Sequence, residues 1–287
     1  MKKIRKAIIP CGGMGTRFLP ATKAIPKEIL PIIDTPVLSY IVDELVDSGI
    51  EQIMIVLGAG KESIRDYFLP NERLIKALEN KPELKKSLAV ADKKVEIVFG
   101  MQKEPRGSGD AVMCARQFTG DEPFVMCNGD DLVVGEIPAS KQLIDAYAEN
   151  PALVIGVQRV AKSETDKYGI VKPSKIVGKT VWCESIVEKP TSNPPSDFAA
   201  LGRYVLIPEI YERIERLPVT KGEVCLTDAF AGMMRDGKVY AYEFSGRRYD
   251  MGDKFGALTA TVDFALNRDD LKDKFKSYIT RVLGNDY

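Results

Sequence analysis

Apolar residues fall along the chain in short runs set between longer stretches of mixed pattern. "RKAII", "QIMIVL", "VEIVF", "PFVMC" and "ALVIGVQ" are continuous or nearly so, as in strands buried on both faces. They predict strands at Arg5–Ile9, Gln52–Leu57, Val95–Phe99, Pro123–Cys127 and Ala152–Gln158. Between them apolar positions recur at helical spacing near Leu38–Ser48, Lys61–Phe68, Asp110–Phe118 and Ser140–Glu149. This alternation predicts an α/β fold, Rossmann-like, with a mostly parallel central sheet flanked by helices. Residues 71–94 are charged and helix-prone, a solvated helical excursion from the sheet.

Later the pattern changes. "GIVKP", "TVWCESIVEKP", "FAALGRYVLI" and "VYAYEFSGRRYDM" are β-rich and separated by turn formers such as "SNPPSD". They predict a smaller, partly antiparallel lobe added to the sheet. From Asp253 onward the pattern is helical and amphipathic, a packing or dimer surface for a homodimer or homotetramer. No internal repeat or low-complexity linker appears. The chain therefore reads as a single domain in three parts, residues 1–160, 161–252 and the C-terminal helices 253–287.

Composition narrows the chemistry. Lys+Arg and Asp+Glu both number 41 among the 287 residues, so no one-signed surface is present to coat nucleic acid. The five cysteines, Cys11, Cys114, Cys127, Cys183 and Cys225, form no C-x-x-C pair, which fits a reducing cytoplasm. Only Ala7–Ile9 separate the basic start from Pro10, too few for a signal-peptide core, and no run is long enough to span a membrane. The expectation is a cytoplasmic protein with no membrane partner. Histidine is absent, which excludes Ser-His triads, His-ligated zinc and His general bases.

The first strand leads into "CGGMGTRFLPATKAIPKEIL", residues 11–30. In such folds ligands collect beyond the carboxyl ends of the strands. Gly12, Gly13 and Gly15 let the backbone approach an anion, and Arg17 and Lys27 are suited to phosphate oxygens. The dinucleotide fingerprint fails because Phe18 stands where glycine is needed, and the P-loop pattern is absent. The glycines alone would equally serve a tight turn. The whole string, however, resembles G-G-x-G-T-R-x-x-P-x-T-x-x-x-P-K, the signature of the sugar-nucleotidyltransferases.

The resemblance implies a loop wrapped around a nucleoside triphosphate. Arg17 and Lys27 would hold its phosphates, and Cys11, Gly12 and Gly13 would line the nucleotide. "PATKAIPKE" points to UTP and glucose 1-phosphate as substrates, giving UDP-glucose and pyrophosphate with Mg²⁺. Further segments follow in the family's order. In "MQKEPRGSGDAV", Gln102 would read the uracil edge and Gly107 would admit the base; taken alone, Gln102 is an ordinary exposed glutamine. In "FVMCNGDD", Asp130 is the first candidate metal ligand, since adjacent carboxylates at a strand end need solvent or a cation. A helix-capping pair is the alternative, and Asp131 suits that structural part better. "RRYDMGDK" would bring Asp250 to the metal from the far side. "YGIV", "VEKP", "LGRYV" and "GEVCLTDA" supply Gly169, Glu188, Gly202 and Glu223 for glucose hydroxyls and Lys189 for the sugar phosphate, which makes residues 161–252 the sugar-binding part.

Two positions depart from the family. Asp110 replaces a usual histidine and would either repel phosphate or cap the following helix; Cys11 replaces a usual alanine. The implied reaction needs no general base, because glucose 1-phosphate is already an anion, and transfer at phosphorus rests on positioning and charge neutralisation. The rivals are a sister enzyme with another base or sugar, a glycosyltransferase, which has no need of a cationic triphosphate loop, and a nucleotide-binding regulator without catalysis.

Overall fold

The computed structural model describes residues 2–86, 88, 95–220 and 222–284. The first apolar run forms β1 (Lys6–Cys11). After the glycine-rich loop come a two-residue hairpin, β2 (Pro31–Ile32) and β3 (Thr35–Pro36), and helix α1 (Val37–Asp47). β4 (Gln52–Leu57) leads to α2 (Glu62–Phe68) and then to α3 (Glu72–Ala77) and α4 (Pro82–Lys86). α3 buries no side chain, as the charged pattern of 71–94 predicts; residues 87 and 89–94 of that stretch lie outside the described residues.

β5 (Glu96–Met101) precedes α5 (Gly107–Met113) and α6 (Arg116–Thr119), two pieces where the pattern predicts one helix. β6 (Phe124–Cys127), β7 (Asp131–Val134), α7 (Ala139–Glu149) and β8 (Leu153–Arg159) follow. The β-rich part gives β9 (Gly169–Val177), β10 (Thr180–Glu188) and β11 (Phe198–Leu206). It continues through α8 (Glu209–Glu215), α9 (Leu226–Arg235), β12 (Val239–Glu243) and β13 (Arg247–Asp250). α10 (Lys254–Asn267) and α11 (Lys272–Gly284) end the chain, and the Asp253 carboxylate caps α10 by accepting from the Phe255 and Gly256 amides.

One nine-stranded sheet, in the order β5-β4-β1-β6-β11-β8-β12-β10-β9, carries the fold. β5, β4, β1 and β6 are parallel neighbours, as expected of the first part. Beyond β6 the expectation of a mostly parallel sheet needs correction. β11 enters antiparallel to both β6 and β8, and β10 runs against both β12 and β9, so the sheet is mixed. Of the added lobe's strands, β9–β12 join the central sheet, and β13 pairs with β7 in a separate two-stranded sheet.

Alternation along the strands explains the two cores. Ala7, Ile9, Val125 and Cys127 face one side, where α1 and α7 pack Leu38, Ile41, Leu45 and Leu143 against them. Ile8, Phe124 and Met126 face the other side, covered by Ile210, Ile214, Phe230 and Met233 from α8 and α9. Helices on both faces make a three-layer sandwich, which leaves the strand ends as the place for chemistry. Among the described residues no helix is long and apolar enough to cross a membrane.

Candidate active site

The loop after β1 is built from single helical turns at 16–18, 21–23 and 27–29, none of which makes a side-chain cap. Gly15 takes a left-handed conformation (φ +66°), and its carbonyl accepts from the Thr22 hydroxyl at 2.8 Å, which closes the loop on itself. Below the last turn, Lys61 donates to both oxygens of the buried Glu28 at 2.7 and 2.8 Å. This hidden pair fixes the backbone next to Lys27 and leaves the Lys27 ammonium paired with Asp130. Burial alone would lower the Lys27 pKa, but the Asp130 carboxylate outweighs it and the pKa is raised.

A second hairpin completes this end of the sheet. β7 and β13 pair antiparallel with Asp131 opposite Asp250, and the Met251 amide donates to the Asp130 carbonyl at 2.9 Å. Segments far apart in sequence thereby meet over Gly252. A Cβ there would lie 2.7 Å from Asp130 Oδ2, 3.1 Å from Asp250 Oδ1 and 3.1 Å from the Arg17 guanidinium. Only a glycine leaves that cradle open.

Two carboxylates converging beside a cation-rich loop suit Mg²⁺, which takes one or two carboxylates and completes its shell with phosphate oxygens and water. Among the described residues no cluster of three or more Cys, Asp or Glu ligands occurs. Asp131 opens β7 and does not cap the following helix α7, whose N-cap residue is Pro138; the structural part of Asp131 is a different one from the capping expected. It is buried, ion-paired with Arg248 and bonded to Asn128. Arg248 also reaches Asp250 at 3.4 Å and the Tyr168 hydroxyl at 3.0 Å. Sequence reasoning missed Arg248, though it stands two residues before Asp250 on one strand and so shares its face.

Arg17, Asp130 and Asp250 line a cavity of about 270 Å³ that Gly169, Glu188 and Lys189 also line. Glu188 accepts from the Thr227 hydroxyl at 2.8 Å, and a Cβ on Gly169 would come within 3.1 Å of its carboxylate. Lys189 has a left-handed backbone (φ 45°) secured by its N–H bonding to the Tyr168 carbonyl at 3.0 Å. Its side chain is 62% exposed, with the ammonium 3.7 Å from Glu188.

Other predicted residues are placed differently. Gly202 (φ +56°) does not line the cavity; a Cβ there would collide with the Asp131 carboxylate and Asn128, so its glycine serves the wall behind the carboxylates. Glu223 is exposed and lies beside Gly107, away from Glu188. Gly107 (φ +88°) is itself needed for packing, since a Cβ would strike the Val224 carbonyl at 2.8 Å. Cys11 is fully buried with its sulfur against Gly129, and burial, reinforced by Glu28, pushes its thiol well up. The nucleotide contact expected of Cys11 is not open to its side chain, which lies beneath the loop.

Gln102 is buried, not exposed as its type alone suggests. Its amide nitrogen donates to the Gly107 carbonyl at 3.1 Å and to Asp110 Oδ2 at 2.8 Å, while its oxygen presses on Gly12. Gly13, at the exposed crest of the loop, has the Lys27 ammonium 3.6 Å from where a Cβ would sit. Asp110 does not cap the helix: it lies inside α5, whose N-cap residue is Arg106.

A family model described as nucleotidyl transferase matches residues 6–265, which span every element of this site. The chain belongs to the nucleotidyl transferase family. Among nucleotidyl transferases it is similar to the UTP–glucose-1-phosphate uridylyltransferase of Bacillus subtilis (strain 168), with 45% identity over 290 residues covering 100% of this chain and 99% of the relative. A UTP-bound UGPase from Acinetobacter baumannii superposes with a TM-score of 0.88 at 36% identity, covering 96% of this chain and 99% of that one. A UDP-glucose pyrophosphorylase complexed with UDP-glucose gives a TM-score of 0.84 at 33% identity, with coverage of 92% and 100%. The resemblance of the glycine-rich loop to the sugar-nucleotidyltransferases therefore extends over the whole nucleotidyl transferase fold.

Proposed function

We propose that this protein joins UTP and α-D-glucose 1-phosphate to give UDP-glucose and pyrophosphate. The observation that carries the reading is the meeting of Asp130, Asp250 and Arg17 over Gly252, in a cavity that Glu188 and Lys189 also line. Two sets of side chains, one cationic with acidic partners and one able to hold hydroxyls and a phosphate, are what two anionic substrates need. The relatives named for the same reaction support the same choice.

The sugar phosphate oxygen attacks the α-phosphorus of UTP. A new P–O bond forms there, the bond from the α-phosphorus to the oxygen bridging to the β-phosphate breaks, and pyrophosphate leaves with that electron pair. The attacking oxygen is already ionised at neutral pH, so no proton has to be removed. Arg17 and Lys27 neutralise the departing pyrophosphate, and the Glu28–Lys61 pair keeps the Lys27 backbone in place. Gly12 and Gly13 let the loop backbone close on the nucleotide, and Gln102 reads the base. Lys189 holds the attacking phosphate, with Glu188 accepting from a glucose hydroxyl and Gly169 keeping that wall open. Asp130 and Asp250 would hold Mg²⁺, which supplies charge neutralisation and Lewis-acid polarisation of the phosphates when bound. Self-association through the C-terminal helices, which expose Phe255, Leu258 and Leu283, fits a homodimer or homotetramer and is read from the mass in solution.

The test follows UDP-glucose and pyrophosphate in both directions with Mg²⁺, over a panel of nucleoside triphosphates and hexose 1-phosphates. Production from UTP and glucose 1-phosphate above all other pairs is expected. Preference for another pair makes the protein a sister enzyme, and UTP binding with no pyrophosphate from any hexose 1-phosphate makes it a regulator.

A further inference from the structure

The Asp110 carboxylate, at one of the two positions that depart from the family pattern, has a definite partner. Asp110 Oδ2 accepts from Gln102 Nε2 at 2.8 Å, and the same nitrogen donates to the Gly107 carbonyl at 3.1 Å. Two acceptors at one end of a primary amide require its NH₂ group there. With the amide reversed, its carbonyl oxygen would face a carboxylate and a second carbonyl, with no donor among them. Gln102 is 3% exposed, so water cannot make good that loss. The amide therefore has one orientation. Its oxygen is turned to the glycine loop, well inside contact distance of where a Cβ on Gly12 would stand.

We infer that Asp110 is a specificity-positioning residue: by locking the Gln102 amide it presents an acceptor to the nucleotide base and so selects uracil or thymine over cytosine. The inference rests on the reading of Gln102 as the base contact. Uracil and thymine carry a hydrogen on N3 and donate, whereas cytosine has a lone pair there and accepts. An oxygen held toward that edge bonds the imide bases and repels cytosine, and a site with a fixed polar group rejects the mismatched analogue strongly. Only an obligate acceptor enforces this. The Gly107 carbonyl favours this orientation and the carboxylate, which cannot donate, adds a second acceptor to it, whereas histidine donates or accepts according to its tautomer and leaves the Gly107 carbonyl alone to hold the amide. The aspartate is thus a device for base selection, placed behind the residue that touches the base.

The experiment measures kcat/KM for UTP and for CTP, each with glucose 1-phosphate and Mg²⁺, in the wild type, Asp110→Asn and Gln102→Leu. Asparagine keeps the size and one acceptor but can pair with either end of the amide, which leaves the Gly107 carbonyl alone to hold the orientation, so a merely structural contact would survive while the lock would weaken. The UTP-to-CTP ratio is expected to fall on the order of tenfold in Asp110→Asn, mainly through KM for the nucleotide. A ratio unchanged in Asp110→Asn but collapsed in Gln102→Leu overturns the role of Asp110 and leaves Gln102 as the base contact. A ratio unchanged in Gln102→Leu overturns the reading of Gln102 and this inference with it. Asp110→Ser, whose hydroxyl also pairs either way, replaces Asp110→Asn should that variant fail to fold.

Discussion

The Arg203 guanidinium on β11 makes three bonds, of 2.6 to 3.2 Å, to the Glu44 carboxylate on α1, 159 residues away in sequence. Both side chains are buried, and Glu44 also accepts from the Ser140 amide at 2.9 Å at the start of α7. The pair ties the antiparallel strand that widens the sheet to two helices of its parallel half. Removing one partner strands the other charge, at about 3–5 kcal/mol. Arg203→Met is expected to lower the unfolding free energy by that much in urea titration. Combining it with Glu44→Leu should lose less, because no unmatched charge remains.

The same pair sets an acid limit. Burial alone would raise the Glu44 pKa, but Arg203 and Ser140 outweigh it and hold the carboxyl below its ordinary value. A depressed carboxylate contributes stability that is fully present above the unfolded pKa of about 4.3 and is lost as pH falls through the lower folded value. Melting temperature should therefore drop in that acidic window. In a double variant lacking both Glu44 and Arg203 the drop should be shallower.

Gly12→Ala should act on nucleotide binding without unfolding the protein. The added methyl meets the Gln102 amide oxygen, and Gln102 is held from behind by Asp110 and Gly107. Overpacking of this kind costs about 1–3 kcal/mol. The melting temperature should fall accordingly, and UTP affinity measured by titration calorimetry should fall with it.

Asp130→Asn and Asp250→Asn should each cut Mg²⁺-dependent turnover by about 10²-fold or more, the scale seen when one electrostatic contact to a developing charge is lost. Asp131→Asn should differ in kind. Its partner Arg248 is nearly buried, so the loss should appear first in thermal stability. Steady-state rates beside melting curves separate the two cases.

Lys189→Ala should reduce kcat by about 10²–10³-fold while UTP binding stays within a few fold. Lys189 lines the cavity, with Glu188 as its nearby acid, whereas Gly12 and Gly13 do not line it. Equal turnover in variant and wild type would remove Lys189 from the reaction.

The sequence carries the strands well, because a buried apolar run bounded by breakers has few other uses. The run 52–57 is β4 to the residue, and the other early strands shift by a residue or two. Lateral order is another matter. Alternation tells a strand which face is buried but not which strand lies beside it, and nothing in "FAALGRYVLI" announces that β11 will sit between β6 and β8. The site divides in the same way. Arg17, Lys27, Asp130 and Asp250 could be singled out because a motif spaces them, but their meeting depends on the pairing of β7 with β13. Glycines are the least legible. At Gly202 and Gly107 the missing side chain makes room for protein, and only the neighbours in space reveal it.

The order of strands has a consequence for dividing this chain. β8 ends the first 160 residues, yet both its neighbours, β11 and β12, come from sequence that follows it, and β6 is also capped by β11. A fragment stopping at residue 160 would carry β8 with no partner and β6 with an open flank of unpaired amides and carbonyls, a template for sticking to other chains. The half that bears the triphosphate loop is thus not a portable module, and a soluble fragment would have to keep the strands that seal its edge.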